Sequence, residues 1–367
     1  MTSSSDFPTA MTLPKLPMAL PLILLCVSMA ANSQKSGISF YRGNWAVTCD
    51  NTLTCRMEGY NNEETKPVDE RGSVLITRAA GPNAPLHGEV TLAAWGSKTD
   101  YSWPFPPSLT LWVDGKNNGH LKRPNKKAET YPLTQNQVRV LLEAAKSDKT
   151  VEFRGGKRSF VLSGDGISAA MLKMDDVQGR GGTPGALIRK GSKPEKSVLA
   201  PVPKPIIRAA KVSDKPSREL TEREARTIKP LLWKSRDETC ELHNPEREYG
   251  EKPKFTLTPL NEQYTLISSL CEIFGYHESV AYWMIDSKLK SAPKFLMENA
   301  YLEYSEGTLT TTAMGRGLGD CLSGASWVWD GTEFRLSYKW TTGLCRFIRA
   351  GGTWSIPTYV TEVIPAK

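Results

Sequence analysis

The sequence predicts a mainly β protein in two lobes: an N-terminal α+β, sandwich-like domain with two helices, and a C-terminal all-β domain stabilised by disulfides. Three observations carry this prediction. Short runs of alternating apolar and polar residues recur along most of the chain, six cysteines follow a leader-like N-terminus, and a proline-rich basic stretch separates two groups of strands. The expected boundaries are 1–33 for a signal peptide, 36–189 for the first domain, 190–230 for the linker and 231–367 for the second. A chain of 367 residues exceeds one ordinary domain, and 39% hydrophobic with 23% charged residues excludes both a wholly disordered chain and a bundle of membrane spans.

The leader comes first. Residues 18–31 form the one long apolar run, preceded by Lys15 and followed by the small residues Ala30, Ala31 and Ser33, the layout of a secretory signal. At 14 residues, interrupted by Pro21, the run falls short of the roughly 18 needed to cross a bilayer. A periplasmic or secreted protein with no transmembrane segment in its mature form is therefore expected. In an oxidising compartment the remaining Cys49, Cys55, Cys240, Cys271, Cys321 and Cys345 are expected to pair. Two separate domains favour local bridges: Cys49 with Cys55, Cys240 with Cys271, Cys321 with Cys345. No C-x-x-C spacing occurs and the four histidines are scattered, so no metal and no cofactor is expected.

In the first domain, strands are expected over 40–50, 74–79, 89–95 and 109–113, because Trp45, Val47 and Cys49 alternate onto one face and Gly-Pro, Pro-Pro and Asp-Gly pairs punctuate the runs. The period then changes. Thr134 with Gln137 reads as a capping box ahead of a stripe of Val138, Leu141, Leu142 and Ala145, which predicts a helix. A hairpin over 150–162 and a second helix over 167–177, with Ile167, Ala170, Met171 and Met174 on one side, complete the domain.

The linker holds six prolines, and residues 189–229 carry twelve Lys or Arg against five Asp or Glu, so most of the formal net charge of +8 sits in one segment. That placement argues against nucleic-acid binding by a folded face and leaves a contact between the linker and an anionic surface as a lesser alternative to a solvated spacer or strap, with a short helix near 219–229. In the second domain, short β runs are expected over 264–270, 280–285, 301–304, 308–313, 326–329, 334–340 and 353–356. Asp330-Gly331 marks a tight hairpin. Trp327 and Trp329 before it, and Phe334, Leu336, Tyr338 and Trp340 after it, are expected to lay their side chains on one face of each strand, as core.

Catalytic signatures are missing: the sequence contains no G-x-S-x-G, H-E-x-x-H or G-x-x-x-x-G-K-[ST]. The nearest constellation is Asp175, Asp176, Gln178 and Arg180 at the end of the second helix. Adjacent helical carboxylates point about 100° apart, so an Asp–Arg pair fixing the helix end is expected before a shared substrate. A second loop, Gly315-Arg-Gly-Leu-Gly-Asp320, lies between β runs and opens no helix, so Arg316 and Asp320 are expected to brace a turn feeding a disulfide.

These residues also resemble a known group. The run from Met174 through Asp175-Asp176-Val-Gln178-Gly179-Arg180, with Trp45 to Asn51, Val113-Asp114-Gly115, Gly315 to Cys321, Trp327 to Gly331 and Gly351-Gly352 with Trp354, is similar to an uncharacterised family of exported Gram-negative proteins, defined as a domain of unknown function. The first half, with Trp-x-Val-x-Cys and a later small-residue helix, also resembles the invasion-associated locus B family, which implies a sandwich-like fold and a host-facing envelope setting. Together these readings predict a non-catalytic envelope protein that binds an envelope or host macromolecule. A cell-wall or glycan-acting enzyme, and an inhibitor or immunity-type protein that plugs a cleft with residues 314–320, are the alternatives.

Overall fold

The computed structural model describes residues 37–62, 70–94, 105–236, 240–243, 253–275 and 277–366. The expected leader, and the end of the strand expected over 89–95, lie outside these residues. The first half builds β1 (Ile38–Arg42), β2 (Trp45–Cys49), β3 (Cys55–Tyr60), β4 (Gly72–Arg78), β5 (Leu86–Leu92), β6 (Ser108–Val113), β7 (Lys116–Lys122), β8 (Thr130–Leu133), α1 (Gln135–Ala145), β9 (Val151–Gly155), β10 (Arg158–Leu162) and α2 (Ile167–Val177). These strands form a six-stranded sheet ordered β1-β2-β3-β4-β5-β8 and a four-stranded sheet ordered β10-β9-β6-β7.

Period-two alternation explains the layering. Trp45, Val47 and Cys49 on β2, Cys55 and Met57 on β3, and Val74 and Ile76 on β4 all point into one core with α1, α2 and the smaller sheet. The Thr134 capping box forms as expected, with the Gln137 backbone nitrogen donating to the Thr134 hydroxyl at 3.2 Å and the Thr134 backbone nitrogen donating to the Gln137 Oε1 at 3.0 Å. Gly166 caps the start of α2 at φ 94°, where a Cβ would stand 1.8 Å from the Arg42 carbonyl oxygen. Strands β7 and β8 escape sequence reasoning because Lys116–Lys122 is almost entirely polar and β8 contains Pro132.

The remaining elements are β11 (Ile206–Arg208), β12 (Arg218–Glu219), α3 (Glu222–Lys234), β13 (Thr256–Pro259), β14 (Tyr264–Phe274), β15 (His277–Asp286), β16 (Lys294–Ala300), β17 (Glu303–Ser305), β18 (Thr308–Met314), β19 (Leu322–Trp329), β20 (Phe334–Thr341), β21 (Ile356–Val360) and β22 (Glu362–Ile364). Two five-stranded antiparallel sheets result, β12 to β16 and β17 to β21, each in chain order. The first is buried on both faces. Ile267, Ala281, Trp283 and Ile285 pack with Ile228 and Leu232 of α3, while Leu266, Tyr282 and Met284 pack with Leu309 and Trp329 of the second sheet.

The stretch over 190–230 is a pinned strap rather than a solvated spacer. The Leu199 nitrogen donates to the Gln178 carbonyl at 3.1 Å, Val198 and Ile207 are buried, and β11 pairs in parallel with β22. Proline fixes such a segment as extended, and its intervening N–H groups are then free to bond the lobes beside it. The helix expected near 219–229 runs instead to Lys234, with Pro230 inside it, because Leu232 adds a further buried turn. Disulfides join Cys49 to Cys55, Cys240 to Cys271 and Cys321 to Cys345, the local pairing expected from the sequence.

One expected pattern fails. Pairing between β19 and β20 shifts at Ser326/Trp327, so that Trp327 faces Leu336 but Ser326 faces Tyr338. The extra residue, Ser337, turns Tyr338 and Trp340 off the face that carries Trp327, Trp329, Phe334 and Leu336. The aromatic row is thereby split: half-buried Trp340 lies on the face opposite the fully buried Trp329, and half-buried Trp327 stays beside Trp329.

Candidate functional site

The end of α2 is built as a polar staple. Gln178 and Arg180 are fully buried, and Asp175 nearly so. The Gln178 side-chain nitrogen donates to the carbonyls of Leu53 and Arg78, both at 2.9 Å, and its oxygen accepts from the Arg180 Nε at 2.7 Å. Arg180 Nη2 reaches the Ala79 and Gly81 carbonyls at 3.0 and 2.8 Å. The Asp175 carboxylate accepts from the backbone nitrogens of Leu187 and Ile188 at 2.7 and 3.2 Å. The expected Asp–Arg pair is therefore replaced by bonds from each side chain to backbone, which tie the helix end, two strand ends and the following loop together. Burial raises the Asp175 pKa above the ordinary carboxylate value, against those two N–H groups and the charges of Arg78 and Arg180. Asp176 points away and pairs with Lys173 at 3.3 Å on the surface. The two carboxylates share no space for a substrate.

Arg316 and Asp320 do meet. Two bonds of 2.7 and 2.6 Å join them, Asp320 also accepts from the Phe347 nitrogen at 2.8 Å, and the guanidinium lies 4.0 Å from the Phe347 ring centroid. The turn is thus clamped beside the Cys321–Cys345 bridge, with Leu318 exposed at its tip. Among the described residues two clusters have ligand-like spacing, Cys240 and Cys271 with Glu298, and Cys321 and Cys345 with Asp320. In both, the sulfurs are consumed in disulfides and offer a cation no thiolate.

A cleft of about 900 Å³ opens elsewhere, between the six-stranded sheet and the sheet β17 to β21. Its first wall is the outward face of β1, β2 and β3, presenting Ser39, Tyr41, Ala46, Thr48 and Glu58. Its second wall presents Thr311, Ala313, Ser323, Ala325 and Trp327, the open end of the same face that buries Trp329 further along. Lys339 adds to that wall, and Trp340, on the opposite face of β20, borders the opening. The two sheets are held around the cleft by paired bonds between Asn51 and Val360 at 2.9 and 2.7 Å, by Trp354 Nε1 donating to Ser73 at 2.8 Å, and by Arg346 donating to the Gly43 carbonyl at 2.9 Å.

Glu58 is the buried acid of this cleft, 2% exposed. Tyr60, two residues on and on the same face of β3, donates its hydroxyl to Glu58 Oε2 at 2.8 Å. Gly343 brings its backbone against the pair at φ 88°, where a Cβ would stand 1.9 Å from that oxygen. Burial pushes the Glu58 pKa up to about 7, despite the Tyr60 hydroxyl, the Leu344 N–H and the charge of Arg346, which all favour the carboxylate. Burial, and then the neighbouring Glu58, hold the Tyr60 hydroxyl well above its ordinary value.

Sequence reasoning passes over Glu58. The alternation Cys55-Arg-Met-Glu-Gly-Tyr60 assigns Arg56, Glu58 and Tyr60 to the face away from the core, which reads as solvated. That face is covered by Leu344, Ile348 and Trp354, which arrive from the far end of the chain. The one local signal is Tyr60 itself, an aromatic on a supposedly wet face.

The architecture defines a β-rich, disulfide-braced protein with a cleft between two sheets. The chain belongs to the family described as "Protein of unknown function (DUF1176)", which matches residues 40–361. It is 26% identical over 329 residues to the uncharacterized protein YpfG of Escherichia coli (strain K12), covering 80% of this chain and 84% of that protein. No solved structure matches the chain.

Proposed function

We propose that this is a non-catalytic protein of the cell envelope, periplasmic or secreted, which holds a macromolecular envelope component in the cleft between its two sheets. The observation that carries this reading is the composition of the cleft walls. General acid–base work draws on two groups with separated roles, whereas Glu58 is the single carboxylate among the described lining residues and no histidine accompanies it. The leader-like N-terminus and the three disulfides support an oxidising compartment. The exposed Lys204, Arg208, Lys211 and Lys215 of the strap support an added contact with an anionic surface.

The test is retention of the purified mature protein by isolated sacculi and by outer-membrane vesicles. Wild type is expected to co-sediment with one of them. Ser323→Trp, which places an indole in the cleft from an exposed strand position, is expected to lose at least tenfold in retention with an unchanged melting temperature. Retention should also weaken as salt rises, to the extent that the strap takes part. Equal retention of wild type and variant, or none of either, would sink the reading.

A second reading rests on the Met314 to Asp320 loop, where an exposed Leu318 sits on a turn fixed by an ion pair and a disulfide, the rigidity an inhibitory loop needs. If that reading holds, Leu318→Asp abolishes a one-to-one complex with a partner enzyme without shifting the melting temperature. Persistence of the complex in the variant removes it.

A further inference from the structure

We propose that the component held in the cleft is a neutral, polyhydroxylated chain, a glycan, gripped by ring faces and hydroxyl groups. The inference rests on the cleft-binding reading above and adds the chemical class of the ligand. Six serines and threonines line the opening: Ser39, Thr48, Thr311, Ser323, Thr341 and Thr358. A hydroxyl both donates and accepts, so such a wall matches another hydroxyl-rich surface without demanding a fixed charge or tautomer. Several of these groups are already oriented: Ser39 and Thr48 lie 3.4 Å apart, and Thr311 donates to the Ala300 carbonyl at 2.5 Å, which leaves its oxygen able to accept.

Aromatic faces supply the second half of the match. Tyr41 is 73% exposed on the first wall, Trp327 stands half-buried on the second, and half-buried Trp340 borders the opening from the other face of β20. Rings presenting an apolar face beside polar tips suit a ligand that itself has an apolar face rimmed by hydroxyls. The shift at Ser326/Trp327 turns Trp340 to the opposite face of β20, while Trp327 stays on the face of Trp329 and extends it into the cleft.

Charge excludes the competing classes. Lys339 is the single cation and Glu58 the single acid among the described lining residues. A polyanion needs several cations to replace its counterions, and a basic peptide needs several accessible carboxylates. An acyl chain or apolar peptide would cover the wall hydroxyls and leave them without water. A volume of about 900 Å³ sits at the upper end for small-molecule pockets, which suits several linked rings.

The experiment titrates the full mature protein by tryptophan fluorescence and calorimetry with neutral oligosaccharides, a sulfated polyanion and an apolar peptide. Saturable binding of a neutral oligosaccharide is expected, weakened about tenfold by Trp327→Ala. Tyr41→Ala, at a position too exposed to affect folding, should weaken it by at least threefold. Failure of every neutral oligosaccharide to bind overturns the glycan assignment, as does cleft binding of only the polyanion or only the peptide. In those last two cases the cleft-binding reading survives, and in the first it stands or falls separately on the sacculus and vesicle experiment with Ser323→Trp.

Discussion

Arg180→Met is expected to destabilise the protein by about 3–5 kcal/mol, the cost of leaving several buried acceptors without a donor. The guanidinium is fully buried and serves the Gln178 oxygen and the carbonyls of Ala79 and Gly81. Methionine fills most of the volume and supplies none of those donors. The loss also spreads, because Gln178 fixes the Leu53 and Arg78 carbonyls through its amide. Urea unfolding at pH 7 reads the effect as a lowered midpoint. Asp176→Asn is the control, since that side chain lies on the surface with Lys173, and its midpoint should stay within about 0.5 kcal/mol of wild type. If Arg180→Met unfolds at the wild-type midpoint yet loses binding to envelope material, the staple is a functional site and the structural assignment is wrong.

The second large effect concerns protons. Glu58 has a native pKa of about 7 against an ordinary value of 4.5, so the native state holds a proton that the unfolded chain releases. Its contribution to stability is complete below pH 4.5 and is lost as the pH rises toward 7, the opposite of a salt-bridged carboxylate. Over that window the loss reaches about 3 kcal/mol. Glu58→Gln removes it while keeping an oxygen to accept from Tyr60. The variant should match wild type near pH 4.5 and exceed it in urea midpoint at pH 8. Identical pH slopes for the two proteins would show that the carboxyl is not protonated in the native state.

Much of the fold is legible because it is local. The capping box at Thr134, the alternation of Trp45, Val47 and Cys49, and the Asp330-Gly331 turn all depend on neighbours a few residues away. The polar strand Lys116–Lys122 and the Pro-bearing β8 are invisible for the converse reason: their partners in the sheet, rather than their composition, make them strands. The same distinction governs the sites. Asp175, Gln178 and Arg180 stand out by their spacing, yet the spacing alone cannot separate a staple from a catalytic cluster. Glu58 is hidden because what buries it lies almost three hundred residues further on, at Gly343 and Leu344. The aromatic row is misjudged for the sake of one residue, Ser337, whose insertion no alternation pattern announces.

The patch formed by Tyr60, Leu75 and Ala93 with Ile348, Trp354 and Ile356 has a consequence in time. A ribosome delivers the first three long before the last three, so the leading half of a nascent chain must wait with a sticky, uncapped surface. Contacts of such long sequence separation close slowly. The early segment therefore lacks the cover for this surface until the closing stretch of the chain has been made.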